Sequence, residues 1–153
     1  MKYYVASRAS LPERPAMWKH FRDDLGIEIT SSWIDEAGPG ETADLGELWR
    51  RICDEIFESD CLVLYVEMGD FPLKGALIEV GIALGMDKPI RIVAPECEFP
   101  APSYRPIGSW VNHPNVQFFV NLNEAFREDP SQTRSAGDKQ HGQTNSLVSR
   151  NIA

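Results

Sequence analysis

The sequence predicts an α/β domain built on an open, doubly wound, flavodoxin-like (Rossmann-like) sheet of five parallel strands with helices on both faces. Three observations predict it. Short β-prone runs alternate with segments of helical periodicity, the pattern of repeated strand–crossover–strand units. Asp60–Val66 (DCLVLYV) is continuously apolar after its first residue, as a central parallel strand buried on both faces must be. The stretch 71–86 (FPLKGALIEVGIALGM) is apolar on nearly every side of a helix, and Glu79 is its only charge between Ala76 and Leu84.

Each element can be justified in turn. Lys2–Ala6 (KYYVA) is β-prone and runs into a polar loop, Ser7–Ser10. Pro12 and Pro15 are expected to delay the first helix to Met17–Leu25, whose apolar residues Met17, Trp18, Phe21 and Leu25 share a face and whose stop is Gly26. Ile27–Ser31 is alternating and β-branched, a second strand. An acidic loop rich in Gly and Pro follows, and then an amphipathic helix over Asp44–Ser59. The third strand is Asp60–Val66, Glu67–Pro72 is a loop, and the Glu79 helix closes at Gly85–Pro89. Ile90–Ala94 is the fourth strand. Pro95–Pro114 is an irregular proline-rich connection able to act as a lid. Val116–Val120 is the fifth strand, and Asn123–Glu128 a short last helix. The domain therefore spans residues 1–128. Residues 129–153 carry almost no large apolar side chains and are expected to form a disordered tail.

Composition narrows the function. The 153 residues suffice for one domain with a core, and 42% hydrophobic with 25% charged residues is ordinary for a soluble protein. A net charge of −8 argues against a broad nucleic-acid-binding surface, while leaving room for a local pocket that binds a small anion. No apolar run reaches the length of about 20 residues that a membrane span needs. The N-terminus lacks a signal-peptide layout, and three unpatterned cysteines fit a reduced, cytoplasmic setting. His20 and His113 have no partners at metal-ligand spacing, so neither a metal site nor a cofactor is expected.

In sheets of this kind ligands bind beyond the C-terminal ends of the strands. That rule brings together Ser7–Ser10, Ser32–Glu36, Glu67–Gly75 and Pro95–Glu98. An isolated carboxylate in an apolar helix beside this edge costs several kcal/mol, roughly, unless it is paired or faces a cleft. Glu79 is therefore the leading catalytic candidate, the alternative being a structural pair with Arg91. Ser7 and Arg8 could hold a phosphate or sugar hydroxyls, Lys74 could assist an anion at the start of the Glu79 helix, and Trp33 could stack on a base. Asp70 and Glu67 lie on the loop feeding that helix, and Gly75 ends it. Asp54 reads as a solvated helix residue, Asp60 as a turn acceptor and Cys53 as inert core.

The most specific residues are Glu79-Val80-Gly81, Ala83-Leu84-Gly85 and Lys88-Pro89, with a first strand ending in YVASR, Trp33 after the second and SDCLVLYV ahead of them. Together they resemble the nucleoside 2-deoxyribosyltransferase family and the related nucleoside 5′-monophosphate N-glycosidases, over residues 3 to 94 and more weakly to about 126. The resemblance implies that Glu79 is a nucleophile that attacks an anomeric carbon and forms a glycosyl-enzyme, resolved by a second base or by water. In retaining glycosidases a second carboxylate lies about 5 Å away; Asp70 and Glu67 could each reach that position, Asp70 being the leading candidate, with Glu67 and Gly75 also candidate substrate contacts. The family's acid on the preceding helix falls on Ile52 here. The resemblance further implies a nucleoside or nucleotide ligand and a homo-oligomer. Transferase, hydrolase, NAD-type glycohydrolase and a nucleotide-binding protein without catalysis all remain open at this point.

Overall fold

A computed structural model describes residues 1–36 and 43–128; the expected tail, 129–153, and residues 37–42 of the Gly–Pro loop lie outside the described residues. Four strands, β1 (Tyr3–Ala6), β2 (Cys61–Tyr65), β3 (Ile90–Val93) and β4 (Val116–Phe119), pair in parallel in that order. Tyr3 registers with Cys61, Leu62 with Ile90, and Ile90 with Val116. Tyr4, Val5, Leu62, Val63, Leu64, Ile90 and Ile92 are fully inaccessible, which accounts for the unbroken apolar reading of the central strands.

The expected second strand, Ile27–Ser31, is corrected to a single bridge, so four of the five expected strands form the sheet. Ile29 bridges Tyr3 in parallel, with Tyr3 N–H donating to the Glu28 carbonyl at 2.9 Å and Thr30 N–H to the Tyr3 carbonyl at 2.8 Å. The ladder ends there because a side chain replaces it. Val5 N–H donates to Ser31 Oγ at 2.7 Å, and Ser31 Oγ donates to the Val5 carbonyl at 3.2 Å. With both Val5 groups satisfied, the chain turns into the short helix α2 (Trp33–Glu36).

Helix α1 (Glu13–Lys19) begins earlier than expected. Pro15 sits in its first turn, where a missing N–H breaks no intrahelical bond. A π-helical turn, His20–Asp24, extends it, and Gly26 at φ 70° closes it. Helix α3 (Leu45–Glu58) is capped by Asp44, which accepts from Glu47 N–H at 2.9 Å. Its other end is held by Lys88, whose Nζ donates to the carbonyls of Phe57 (2.8 Å) and Ser59 (2.6 Å). A cation on those terminal carbonyls also complements the helix dipole. Asp60 accepts from Lys2 N–H at 2.7 Å, in the turn role expected of it.

Strand alternation sorts the helices into two layers. Tyr3 points to the layer of α1 and α5 (Leu122–Ala125): its hydroxyl donates to the Phe126 carbonyl, and Trp18 and Phe21 pack on the Phe126 ring. Tyr4 points the other way, to α3 and α4 (Gly75–Gly85). Arg91 belongs to the first layer, where it lies over the Tyr3 and Phe119 rings and donates to the carbonyls of Ala125 (2.6 Å) and Arg127 (2.8 Å). It therefore does not pair with Glu79 across the sheet.

Candidate active site

The chain leaves β1 for Ile29 on one side and later returns to β2 on the other, so the sheet's switch point lies between β1 and β2. A cavity of about 460 Å³ opens there, within the usual range for small-ligand pockets. Four segments build it. Ser7–Ser10 follows β1, Trp33 and Glu36 come from α2, one face of α3 contributes Leu48, Trp49 and Ile52, and 70–76 with Glu79 completes the wall.

Glu79 is 8% exposed, and its neighbours explain its electrostatics. The Tyr4 hydroxyl donates to Oε1 at 2.8 Å. Burial pushes the carboxyl up to about 8; the Tyr4 bond opposes the rise and the charge of Glu55 adds to it. Tyr4 itself is held well above the ordinary tyrosine range, by burial first and then by Glu79. Burial likewise raises Glu55, against a bond from Ser32 N–H at 3.1 Å.

The other expected residues fall into distinct positions. Ser7 and Trp33 line the cavity with polar atoms already engaged: Trp18 Nε1 donates to Ser7 Oγ at 2.9 Å, and Trp33 Nε1 donates to the Val5 carbonyl at 2.9 Å. Trp33 thus offers its ring. Arg8 lines the mouth, tethered to Ser10 Oγ (3.2 Å) and to the Gly69 carbonyl (3.0 Å). Lys74 and Gly75 also line it, and a Cβ on Gly75 would touch the Trp49 ring at 3.6 Å. Glu67 is not among the cavity residues. Its carboxylate accepts from the Tyr65 hydroxyl at 2.8 Å and meets Arg14 at 3.1 Å.

Asp70 lines the cavity wall, but its carboxylate is committed elsewhere. Arg14 engages both oxygens, at 2.7 and 3.3 Å, and Glu67 N–H donates to Oδ2 at 2.8 Å. Arg14 and Asp70 are almost fully buried, and Arg14 stacks over the Tyr65 ring at 4.8 Å. Burial works against the Arg14 charge, yet Asp70 and Glu67 hold it above its ordinary value. A carboxylate clamped in this way is a poor proton donor, so the expectation of Asp70 as the second catalytic acid gives way to an anchoring role. The clamp fixes the loop that leads to α4, where Leu73 (φ 62°) and Lys74 (φ 38°) both occupy the left-handed region. Such a conformation costs about 1–2 kcal/mol per residue and persists only where its surroundings impose it.

Glu36 lies in the Ser32–Glu36 segment expected at the ligand edge, whereas sequence reading did not anticipate Leu48, Trp49 and Ile52 as cavity wall. The apolar spacing on α3 could have located the last three, but it reads equally as core. Glu36 is paired through both oxygens with Arg51, at 2.8 and 2.5 Å. Among the described residues, no group of three or more His, Cys, Asp or Glu side chains could hold a metal, and no helix is long and apolar enough to cross a membrane.

No protein-family model matches the sequence, and no curated protein matches it significantly. Solved structures do match. A 2-deoxyribosyltransferase from Bacillus psychrosaccharolyticus superposes with a TM-score of 0.64 at 15% identity, over 86% of this chain and 95% of that one. The CMP N-glycosidase of Clostridium botulinum gives 0.52 at 20% identity, over 82% and 94%. The chain has the α/β fold of these two enzymes, one a 2-deoxyribosyltransferase and the other a nucleotide N-glycosidase.

Proposed function

We propose that this protein cleaves the N-glycosidic bond of a nucleoside or nucleotide, with Glu79 as the nucleophile. The observation that carries the reading is a buried carboxylate with no cation beside it among the described residues, held by the Tyr4 hydroxyl and lining a cavity of nucleoside size at the sheet's switch point. Desolvation makes the ionised carboxylate reactive, and an oxocarbenium-like centre on the sugar supplies the opposite charge that Glu79 lacks in the free protein. In this reading Trp33 and Trp49 flank the base. Arg8 and Lys74 offer charge to a 5′-phosphate, and Ser7 lies within reach of the sugar. The Arg14–Asp70 clamp positions the loop that leads to Glu79. Water resolves the glycosyl-enzyme in hydrolysis, and a second base does so in transfer.

The test is release of free base, followed by chromatography, from nucleosides and their 5′-monophosphates, with a second base present in half the reactions. Base exchange identifies a transferase, and release without exchange a hydrolase. Glu79→Gln must abolish both while the protein stays folded. Wild-type turnover in that variant removes Glu79 from the mechanism.

A further inference from the structure

The departing base poses a chemical problem for this cavity. A neutral nucleobase leaves an anomeric carbon as an anion unless an acid protonates it, and a positioned acid contributes about 10²–10⁴-fold to such steps. Among the described residues, the acids that line the cavity are Glu36, Asp70 and Glu79. Asp70 is bound through both oxygens to Arg14, and Glu36 through both oxygens to Arg51. Glu79 is the nucleophile in the reading above, on which this inference rests. The wall that α3 presents is Leu48, Trp49 and Ile52, and Trp33 has committed its N–H to the Val5 carbonyl. These walls offer a bound base apolar side chains and two indoles, the Trp33 N–H being already engaged.

From this we infer that the preferred substrate is an N-glycoside whose base already carries a fixed positive charge, such as an N7-alkylated purine or an N-glycosyl pyridinium. The chemistry then balances without an acid. Glu79 Oε attacks C1′ as the C1′–N bond breaks, and the bonding pair neutralises the cationic ring, which departs as a neutral base. Water then attacks C1′, the ester bond to Glu79 breaks, and one proton passes to solvent as the carboxylate is regenerated. The indole rings favour the cationic ground state by cation–π attraction, and Glu79 adds to it once ionised.

The experiment compares N7-methylguanosine and nicotinamide riboside with guanosine. Each is supplied as riboside and 2′-deoxyriboside, with and without a 5′-phosphate, and corrected for uncatalysed release. The expected result is a kcat/KM for at least one cationic compound that exceeds its matched neutral compound by about 100-fold or more, the contribution of the acid it does not need. The purine and pyridinium arms show which kind of cationic base is taken. The pH profile on nicotinamide riboside, whose charge does not titrate, should rise to a plateau with no falling limb, and Glu79→Gln should bind the cationic compound more tightly than guanosine in calorimetry. Rates on both cationic compounds comparable to those on guanosine, or a falling alkaline limb that Lys74→Met removes, overturn the inference and leave N-glycosidic cleavage standing. No turnover of any compound overturns both.

Discussion

Replacing Glu79 with glutamine tests the electrostatics of the site without reference to any substrate. The carboxyl has an ordinary value of 4.5 and is pushed up to about 8 by burial. Between those values the native state holds a proton that the unfolded chain has released, so stability falls as pH rises through that window. Integrated from the two values, the cost to the native state is under about 1 kcal/mol at pH 5, about 3 kcal/mol at pH 7 and on the order of 4 kcal/mol at pH 8. Glutamine does not titrate. It can still accept from the Tyr4 hydroxyl, and whatever its buried amide costs is the same at every pH. The stability of Glu79→Gln relative to the wild type should therefore improve by about 3–4 kcal/mol between pH 5 and pH 8. For a domain of this size that is a relative gain in Tm on the order of 10 °C. Urea unfolding at the two pH values measures it directly. A wild type and variant whose stabilities track each other across that range would refute the premise that Glu79 is a desolvated carboxyl. The same variant is expected to be inactive, the usual exchange of stability for function at a strained site.

Activity should follow the same titration, with kcat/KM rising through a midpoint near 8; Tyr4→Phe removes the bond that lowers Glu79 and should move that midpoint upward in the pH–rate profile. Arg14→Leu leaves the buried Asp70 without its partner and should cost about 3–5 kcal/mol in chemical denaturation, while Arg14→Leu with Asp70→Leu should recover most of it. Ser31→Ala strands the Val5 N–H and should cost about 1–3 kcal/mol, with faster hydrogen exchange at that amide. Lys88→Met should cost about 0.3–1 kcal/mol by releasing the last carbonyls of α3, read as a lower urea midpoint.

Much of this was legible in the sequence, for identifiable reasons. Cys61–Tyr65 and Ile90–Val93 read as buried strands because both their faces are covered. Glu79 stood out because a single charge in an apolar helix has few explanations. The edge near Ile29 was misjudged because alternation registers side-chain polarity, whereas the ladder was ended by one hydroxyl, Ser31, bonding to Val5 twenty-six residues away. The ion pair that holds Asp70 is hidden in the sequence for a related reason. Its partner Arg14 lies 56 residues earlier, on a helix whose start the prolines had concealed. Trp49 and Ile52 belong to an amphipathic stripe, and periodicity cannot say which part of a stripe meets a neighbouring helix and which part meets a cavity.

The two borders of the sheet are finished differently, and this bears on how the protein behaves when crowded. At β1 the Ile29 bridge and the Ser31 side chain occupy the outward-facing backbone groups, so an incoming chain finds little to zip onto. At β4 there is no comparable stopper among the described residues: the strand pairs only with β3, and Phe118 and Val120 beside it are 45% and 78% exposed. Partly opened molecules at high concentration should therefore associate through β4, and a lysine at Val120 would act as a gatekeeper there.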